Sequence, residues 1–391
     1  MDSKIYDLLT RGVDEIIDRK HLEERLASGQ KLRIKLGIDP TSPNIHIGRA
    51  VVLWKMRAFQ DLGHQVVFIV GDFTGQIGDT SDKDSERPML TEEQVKLNLQ
   101  NYFKQALKIL DKTKTEKFYN SKWLKKLGFM DITKMANAFG LHEFASRELI
   151  KKRMDAGKRV SLRELLYPIM QGYDSVAVKA DVELGGTDQR FNLLAGRTIQ
   201  PLYGQEPQDI FIMQLMEGTD GRKMSSSWGN VINITDEPND MFGKVMSVDD
   251  KLIVKYFTLA THVPMEEIQK IEQELKNGAN PRTIKKRLGE EIVTMYHSAA
   301  KAKKASREFD RVFSEKQMPS EMEEMKVVST NILDLLVETK MVPSKSEARR
   351  LVEQGGVKLN EEVVKDWNAT LDIKDGQVLQ AGKRKFMKLS K

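Results

Sequence analysis

The fold of this 391-residue chain is decided by one stretch, Leu32-Arg33-Ile34-Lys35-Leu36-Gly37-Ile38-Asp39-Pro40-Thr41-Ser42-Pro43-Asn44-Ile45-His46-Ile47-Gly48-Arg49. An apolar run leads through a turn rich in proline into the helix-like segment Ala50 to Leu62. A helix N-terminus presents free N–H groups and a partial positive charge, so a strand–turn–helix unit of this kind predicts an anion site. His46, at the start of the helix, can reach a phosphate oxygen bound there.

A second phosphate-handling segment lies far downstream, at Gly221-Arg222-Lys223-Met224-Ser225-Ser226-Ser227. It places one lysine and three hydroxyl groups on a loop flanked by glycine. Together, and in this order, the two segments predict an enzyme that activates its substrate with ATP.

Strand-like and helix-like runs alternate over the first 230 residues. Short buried strands are predicted at Arg33 to Ile38, Val66 to Gly71, Ala180 to Leu184 and Phe211 to Met216. This rhythm predicts an α/β fold, a Rossmann-like parallel sheet with right-handed crossovers. Ligands of such sheets bind beyond the carboxyl ends of the strands, where the turn after Ile38 would lie.

Three domains are expected along the chain. Residues 1–230 would form the Rossmann-like catalytic domain, with a helical insertion at about 102–166 that has little strand signal. Residues 231–325 would form an α-helical domain, in which one long helix is predicted from Thr283 to Lys304. Residues 330–391 would form a small α+β domain, whose first clear helix is capped by Ser344.

Composition narrows the class of protein. The chain has no cysteine, which excludes disulfides and thiolate metal sites, and its six histidines lack the spacing of metal ligands. We find no secretory or membrane-spanning pattern, so we expect a cytoplasmic protein that does not enter the membrane. Between Lys326 and Lys391 there are 13 Lys or Arg and 9 Asp or Glu, an excess that favours a polyanionic partner or a merely solvated basic tail.

The two phosphate-handling segments resemble the HIGH and KMSKS signatures of class I aminoacyl-tRNA synthetases. Two segments in the middle of the chain resemble the tyrosyl-tRNA synthetases in particular. They are Tyr167-Pro168-Ile169-Met170-Gln171-Gly172-Tyr173-Asp174 and Asp181-Val182-Glu183-Leu184-Gly185-Gly186-Thr187-Asp188-Gln189. Tyr167, Gln171 and Asp174 would share one helix face, because they fall at i, i+4 and i+7. Without the resemblance, an ordinary half-buried helix would be the favoured explanation of that face.

The resemblance implies a tyrosine subsite. Asp174 would accept the hydroxyl of the substrate phenol, and Tyr167, Gln171 and Asp79 would hold its ammonium group. Gln189 would face the substrate carboxylate. Lys35 is also expected in this subsite, because it stands where the better-described branch of the family has a tyrosine over the substrate hydroxyl.

The resemblance also implies an ATP subsite, with Mg²⁺ arriving on the nucleotide phosphates. The expected ATP-binding residues are Gly37, Asp39, Thr41, His46, Gly48, Gly186, Asp188, Leu215, Met216 and Lys223. Among these, His46, Thr41 and Lys223, together with Arg49, would stabilise the charge that builds on phosphorus during catalysis. No metal ligand set is expected in the protein itself.

Some positions depart from the family signatures. Arg49 replaces the second histidine of HIGH, and Ser226 replaces the second lysine of KMSKS. Glu183 stands where the family has glutamine. These changes leave open a catalytically silent RNA-binding paralogue, while a tryptophanyl enzyme or another HxGH nucleotidyltransferase are the rival enzymes.

The remaining expectations concern RNA and assembly. The terminal unit resembles the S-four-like RNA-binding domain of the same family, and its phosphate-binding residues would be Lys345, Arg349, Arg350 and Lys358. The helical domain would correspond to the family's anticodon-binding domain. The resemblance therefore implies L-tyrosine, ATP and tRNA(Tyr) as partners, and a homodimer with the inserted helical region as the candidate contact.

Overall fold

The structure is a computed structural model that describes residues 2–40, 42–79, 89–99, 101–313, 315, 322–382 and 385–391. The chain divides into two compact units, Met1–Ser306 and Arg307–Lys391. Across the described residues, the helices are all too short or too polar to cross a membrane.

The first unit contains one mixed sheet. Its strands are β1 (Val13–Ile17), β2 (Arg33–Ile38), β3 (Gln65–Val70), β4 (Thr115–Tyr119), β5 (Val182–Gly186) and β6 (Asp209–Met213). They lie in the order β1-β6-β5-β2-β3-β4, with β1 antiparallel to β6 and the other neighbours parallel. The carboxyl ends of β2, β3, β5 and β6 therefore open on one edge of the sheet, as the α/β prediction requires.

Helices connect these strands and continue after them, and the last of these helices crosses the boundary between the two units at Ser306. They are α1 (Ser3–Thr10), α2 (Arg19–Ala27), α3 (Ile47–Asp61), α4 (Thr74–Ile77), α5 (Glu92–Leu99), α6 (Tyr102–Ala106), α7 (Ser121–Leu124), α8 (Phe129–Ala136), α9 (Leu141–Ala145), α10 (Glu148–Asp155), α11 (Leu162–Val178), α12 (Arg190–Ile199), α13 (Pro238–Met246), α14 (Ile253–Ala260), α15 (Met265–Lys276), α16 (Pro281–Tyr296) and α17 (Ala299–Phe313). Helix α3 begins directly after the turn that follows β2, so the predicted strand–turn–helix unit is confirmed.

Burial explains why the central strands were visible in the sequence. Val66 to Val70 in β3 are at most 1% exposed, so both faces of this strand are covered and nearly every residue is apolar. In β2, Ile34 and Leu36 are buried in the same way. The predicted strand at Arg33 to Ile38 is confirmed at both ends, and the other three predicted strands are displaced by one to three residues.

Two local predictions were wrong. Thr115–Tyr119, within the segment expected to be helical, forms the edge strand β4 and pairs with β3. Its alternation of half-buried and exposed residues gives only a weak apolar pattern. The single helix expected from Thr283 to Lys304 is broken at His297, whose backbone leaves the helical region at φ −128° and ψ −92°.

The second unit is a small α+β domain, as predicted. It consists of β7 (Glu323–Lys326), α18 (Ile332–Glu338), α19 (Lys345–Glu353), β8 (Val357–Leu359), β9 (Glu362–Val363), β10 (Val378–Ala381) and β11 (Lys385–Ser390), with strand order β7-β11-β10-β8-β9. Leu335, Leu336, Val352 and Leu379 lie in its core. The side chain of Ser344 accepts from the Glu347 amide and so caps α19, as expected.

Candidate active site

The structure brings the two phosphate-handling segments together. The second segment, Gly221 to Ser227, is called the lysine loop. The amide of Ile47 donates to the carbonyl of Ile232, which follows this loop, at 2.8 Å. The hydroxyl oxygens of Ser42 and Ser226 are 3.5 Å apart. A Cβ added at Gly48 would lie 3.3 Å from the Met224 sulfur, so the glycine permits helix α3 and the lysine loop to touch. The two segments thus form walls of one cleft.

His46 lies at the N-terminus of α3, where its Nδ1 accepts from the Arg49 amide at 3.3 Å. Its pKa is lowered to about 3, chiefly by burial and in addition by the positive charges of Arg49 and Lys223. The imidazole is therefore neutral at physiological pH. A neutral ring can donate a hydrogen bond to a phosphate oxygen without changing its charge.

The lysine loop is fixed by Asn230. Its Oδ1 accepts from the Ser225 amide at 2.8 Å, and its Nδ2 donates to the Lys223 carbonyl at 3.1 Å. Lys223 in turn places its ammonium 2.9 Å from Asp188 Oδ2. On the opposite wall, Arg49 Nη1 donates to the Tyr102 hydroxyl at 2.8 Å. Two cations therefore border the cleft near the neutral His46.

A cavity of about 380 Å³ adjoins the lysine loop. It is lined by Asp14, Thr187, Gln214, Leu215, Met216, Glu217, Lys223 and Lys255. Gly186 precedes the lining residue Thr187, and a Cβ added at this glycine would lie 2.8 Å from the side chains of both Leu215 and Asp188, so both would have to shift to admit a larger residue. A cavity of this volume is in the range of small-molecule sites.

Helix α11 carries Asp174, whose side chain is buried. Its Oδ1 accepts from Trp123 Nε1 at 2.7 Å and its Oδ2 from Asn120 Nδ2 at 3.2 Å. Burial raises the pKa of Asp174 to about 7, while Lys35 and the two hydrogen-bond donors oppose that rise. The Asp174 carboxyl group is therefore partly ionised and partly protonated at pH 7.

Tyr167, Gln171 and Asp174 all lie on α11, and their polar groups reach the sheet. The Tyr167 hydroxyl donates to Asp39 Oδ2 at 2.8 Å. Gln171 Nε2 donates to Glu183 Oε1 at 3.1 Å. The predicted helix face therefore exists, and it faces the carboxyl end of β2.

A hydrogen-bonded chain connects the two ends of this region. Asn120 Nδ2, which contacts Asp174, also donates to Thr74 Oγ1 at 2.9 Å. Thr74 donates to Asp39 Oδ1 at 2.6 Å, and the other oxygen of Asp39 binds Tyr167. Gly71 makes room for this chain, because a Cβ there would overlap Asp39 and Thr74.

Another cluster of polar side chains forms around Asp79. Gln189 Nε2 donates to Asp79 Oδ2 at 2.8 Å, and Asn192 Nδ2 donates to Gln189 Oε1 at 3.0 Å. Asp79 is the last residue before an undescribed segment, and Thr41 also lies outside the described residues. Gly37 leaves open space: a Cβ there would meet no described atom within 4 Å.

Sequence reasoning missed several polar residues of the site, namely Asn120, Trp123, Thr74 and Asn192. Thr74 follows β3 at the carboxyl edge and could have been included for that reason. Asn120 follows β4 directly, but it was hidden because that strand was not recognised. We find no sequence signal for Trp123.

In the second unit, the four predicted RNA-binding cations divide into two groups. Arg349 is held by Glu353 at 2.8 Å and lies over the Trp367 ring at 4.2 Å. Lys345 is paired with Asp334. Arg350 is 69% exposed at its side chain and lies 3.9 Å from Glu347, while Lys358 is half-buried in β8.

The sheet is parallel except at its edge strand β1, and the turn that leads to His46 meets the lysine loop. This arrangement is expected of a class I aminoacyl-tRNA synthetase. The family profile of class I tRNA synthetases for tryptophan and tyrosine matches residues 27–314, and the profile of the tyrosine–tRNA ligase SYY-like C-terminal domain matches residues 308–389. Together these two regions span most of the chain.

Individual relatives agree with the profiles. A tyrosine–tRNA ligase of Thermotoga maritima is 47% identical, with 98% of this chain and 96% of the relative aligned. One of Dehalococcoides mccartyi is 45% identical over 99% and 98% of the two chains. The crystal structure of an Archaeoglobus fulgidus tyrosyl-tRNA synthetase with L-tyrosine has the same fold, with a TM-score of 0.62, 20% identity, and coverage of 78% and 99%. The chain belongs to the tyrosyl-tRNA synthetase family.

Proposed function

We propose that this chain works as a tyrosine–tRNA ligase through the cleft described above, with the residue roles that follow. It activates L-tyrosine with ATP, giving tyrosyl-adenylate and pyrophosphate, and then transfers the tyrosyl group to the 3′ end of tRNA(Tyr). The observation that supports these roles best is the hydrogen-bonded chain from Asp174 to Tyr167 through Asp39, because it joins the amino-acid end of the cleft to the turn after β2.

Asp174 recognises the phenol of tyrosine. Both of its oxygens already accept from donors, Trp123 and Asn120, which fix the carboxylate and leave its remaining lone pairs for the substrate hydroxyl. Phenylalanine is rejected because it would leave this buried carboxylate without that partner. A site built on a hydroxyl contact of this kind discriminates by roughly 10⁴–10⁵-fold in known cases.

The ammonium and carboxylate of tyrosine lie toward the sheet edge. Tyr167, Gln171 and Asp79 surround the ammonium group, and Gln189 faces the carboxylate. The bond from Gln189 to Asp79 supports this assignment, because it places an amide and an acid within 2.8 Å of each other.

ATP occupies the other half of the cleft. Leu215 and Met216 offer backbone groups to adenine in the 380 Å³ cavity, and Asp188 binds the ribose. Gly37, Gly48 and Gly186 allow the nucleotide or its neighbours to approach the backbone closely. The remaining nucleotide contacts are assigned to Asp39, Thr41, His46 and Lys223.

Adenylate formation needs no covalent enzyme intermediate. A carboxylate oxygen of tyrosine forms a bond to the α-phosphorus, and the bond to the bridging oxygen breaks, so that pyrophosphate leaves with the electron pair. His46, Thr41, Arg49 and Lys223 stabilise the charge on the phosphoryl oxygens. Mg²⁺ enters with ATP as part of the substrate and neutralises phosphate charge. Among the described residues, no cluster of acids and histidines has the geometry to hold a resident metal ion.

In the second step, a hydroxyl of the terminal tRNA ribose attacks the tyrosyl carbonyl, and AMP leaves. The second unit holds the tRNA backbone through Lys345, Arg349, Arg350 and Lys358. Stacking on Trp367 and the pairing with Glu353 orient the Arg349 guanidinium before RNA arrives, which supports its role in particular. Residues 1–230, 231–325 and 330–391 serve as catalytic, anticodon-binding and S-four-like domains.

The protein acts in the cytoplasm as a homodimer. The helical region before and at the start of α11 exposes large apolar side chains, and exposed apolar surface of this kind marks interaction sites. They are Phe129, Met130, Leu141, Leu162 and Leu166, between 41% and 86% exposed. A second copy of the chain would cover this surface.

Tyrosine-dependent exchange of labelled pyrophosphate into ATP tests the proposed function. The intact protein should catalyse exchange with tyrosine and far less with phenylalanine or tryptophan. A silent paralogue would bind tRNA and give no exchange. An enzyme that exchanges with tryptophan in place of tyrosine would refute the role given to Asp174.

A further inference from the structure

Beneath the tyrosine subsite lies a completely buried ion pair, between Lys35 of β2 and Glu183 of β5. The ammonium of Lys35 is 2.7 Å from Glu183 Oε1, and their side chains are 0% and 1% exposed. Lys35 also donates to Ser175 Oγ at 2.9 Å and to the Gln171 carbonyl at 3.0 Å. An ammonium has three donors, so this set uses all of them and leaves none for the substrate hydroxyl.

Glu183 is equally well surrounded. Its Oε2 accepts from Ser175 Oγ at 3.0 Å and from Gln208 Nε2, while its Oε1 also accepts from Gln171. Buried ion pairs are in general no more stabilising than apolar residues of the same size, because both charges lose their hydration. Stability alone therefore does not explain why this ion pair is present.

A reason is suggested by the position of the pair relative to Asp174. Ser175 and Gln171, which hold the ammonium, flank Asp174 on the same helix. The charges that act on Asp174 are Lys35 from β2, which lowers its pKa, and Glu183 from β5, which raises it. Asn120 and Trp123 are uncharged donors, and the neighbouring titratable group on α11, Tyr167, is neutral because burial raises its pKa well above the usual value.

We propose that Lys35 is a positioning residue for tyrosine recognition: held by Ser175 and the Gln171 carbonyl, its ammonium favours the ionised form of the Asp174 carboxylate without touching the substrate. This inference rests on the proposed function and deepens it. An ionised Asp174 can only accept, so it selects a ligand that donates a hydroxyl. A protonated Asp174 would carry its own donor and would lose the charge-assisted bond to the phenol. Phenylalanine would then leave no buried charge unpaired, so the site would reject it less strongly.

The test measures the dissociation constant of L-tyrosine for the full-length protein between pH 5.5 and 8.5, by intrinsic fluorescence. In the unaltered protein, tyrosine binding should strengthen as pH rises through neutrality. Asp174→Asn serves as the reference, and it should bind weakly with little dependence on pH. If the pH dependence persists in Asp174→Asn, it belongs to another group and the inference is overturned.

Two charge variants should then move the pH dependence in opposite directions. Lys35→Met removes the favourable charge, so the pH at which binding strengthens should rise by about one unit and affinity at pH 6.5 should fall roughly tenfold. Glu183→Gln removes the opposing charge but keeps the side-chain shape, so that pH should fall and affinity at pH 6.5 should increase. A purely structural role for the pair would weaken binding in both variants at every pH and would leave the midpoint in place.

If Lys35→Met does not fold, Glu183→Gln decides alone, because a gain in tyrosine affinity at acid pH is not a result of damaged packing. An unmoved or raised midpoint in Glu183→Gln would overturn the inference. Pyrophosphate exchange by the unaltered protein separates this failure from failure of the proposed function. Exchange with tyrosine, together with unmoved midpoints, would refute only the role of Lys35.

Discussion

Adding a single methyl group at Gly48 should slow tyrosyl-adenylate formation without destabilising the fold. Gly48 is the second residue of α3, and alanine in a helix is normally more stable than glycine by about 0.5–1 kcal/mol. The new Cβ would lie 3.2 Å from His46 Nδ1 and 3.3 Å from Met224 Sδ. Ordinary contacts begin near 3.4 Å, so both neighbours must shift by a few tenths of an ångström.

These two neighbours carry the groups proposed to act on phosphate. His46 is 7% exposed and caps α3, so its ring has little freedom, and Met224 precedes the serines of the lysine loop and follows Lys223 directly. A 1 Å displacement in an active site can cost about 100-fold in rate. For a shift of a few tenths of an ångström we therefore expect roughly a 5- to 10-fold lower rate of adenylate formation in Gly48→Ala. The tyrosine dissociation constant should stay unchanged, because Asp174 and its partners are untouched.

Gly243→Ala provides the matched control. Gly243 lies in α13, and its added Cβ would meet no described atom within 4 Å. This variant should have the same small gain in helix stability with full activity. Single-turnover adenylate formation and thermal unfolding of both variants make the comparison. A wild-type rate in Gly48→Ala, or a loss of thermal stability parallel to the loss of rate, would refute the idea that this contact positions Lys223 and His46.

Four further predictions test other parts of the protein. Lys223→Met should slow adenylate formation at least about 100-fold and leave tyrosine binding unchanged, since the ammonium acts on phosphate charge; stopped-flow and equilibrium binding measurements check this, and a matching loss of tyrosine affinity would contradict it. His46→Gln should reduce the loss of stability at acid pH. The pKa of His46 is about 3 in the folded state and near 6.5 in the unfolded state, so the unfolded chain gains the proton first as the pH falls. The wild-type protein therefore loses about 2–3 kcal/mol of its unfolding free energy from this group by pH 4.5, which urea unfolding at pH 7 and 4.5 would measure. Truncation after Ser329 should retain pyrophosphate exchange and reduce tRNA charging, with a smaller dependence on salt; loss of exchange would mean that the removed part supports the catalytic fold. Phe129→Asp should convert dimers to monomers in sedimentation experiments, because Phe129 is 86% exposed within the proposed apolar contact surface and the variant places a charge there. An unchanged mass would place any subunit contact elsewhere.

The sequence predicted the central sheet because its strands are short, apolar and buried on both faces. β2 and β3 follow this pattern, and the turn chemistry after β2 identifies the start of α3. The edge strands β1 and β4 are half exposed, so their composition mixes charged with apolar residues. Their pairing to β6 and β3 depends on partners distant in sequence, which periodicity does not reveal.

The same limit explains which polar contacts were predicted. Helical spacing placed Tyr167, Gln171 and Asp174 on one face. Their partners come from other elements, as when Asp39 binds Tyr167 and Trp123 binds Asp174. Lys35 gives the clearest case: the resemblance placed it in the tyrosine subsite, and only the folded chain reveals that Glu183, Ser175 and the Gln171 carbonyl occupy its three donors.

The pairing of Lys223 with Asp188 has a consequence for the order of events in the cleft. Asp188 is the proposed ribose ligand, and one of its oxygens lies 2.9 Å from the Lys223 ammonium. Ribose hydroxyls that bind this carboxylate compete with the lysine, while the phosphates of the same ATP offer it a stronger partner with more negative charge. We therefore expect nucleotide binding both to displace Lys223 from Asp188 and to attract it toward the phosphates. Because Asn230 holds the Lys223 carbonyl and the Ser225 amide, this movement requires a change of the side chain rather than of the loop backbone.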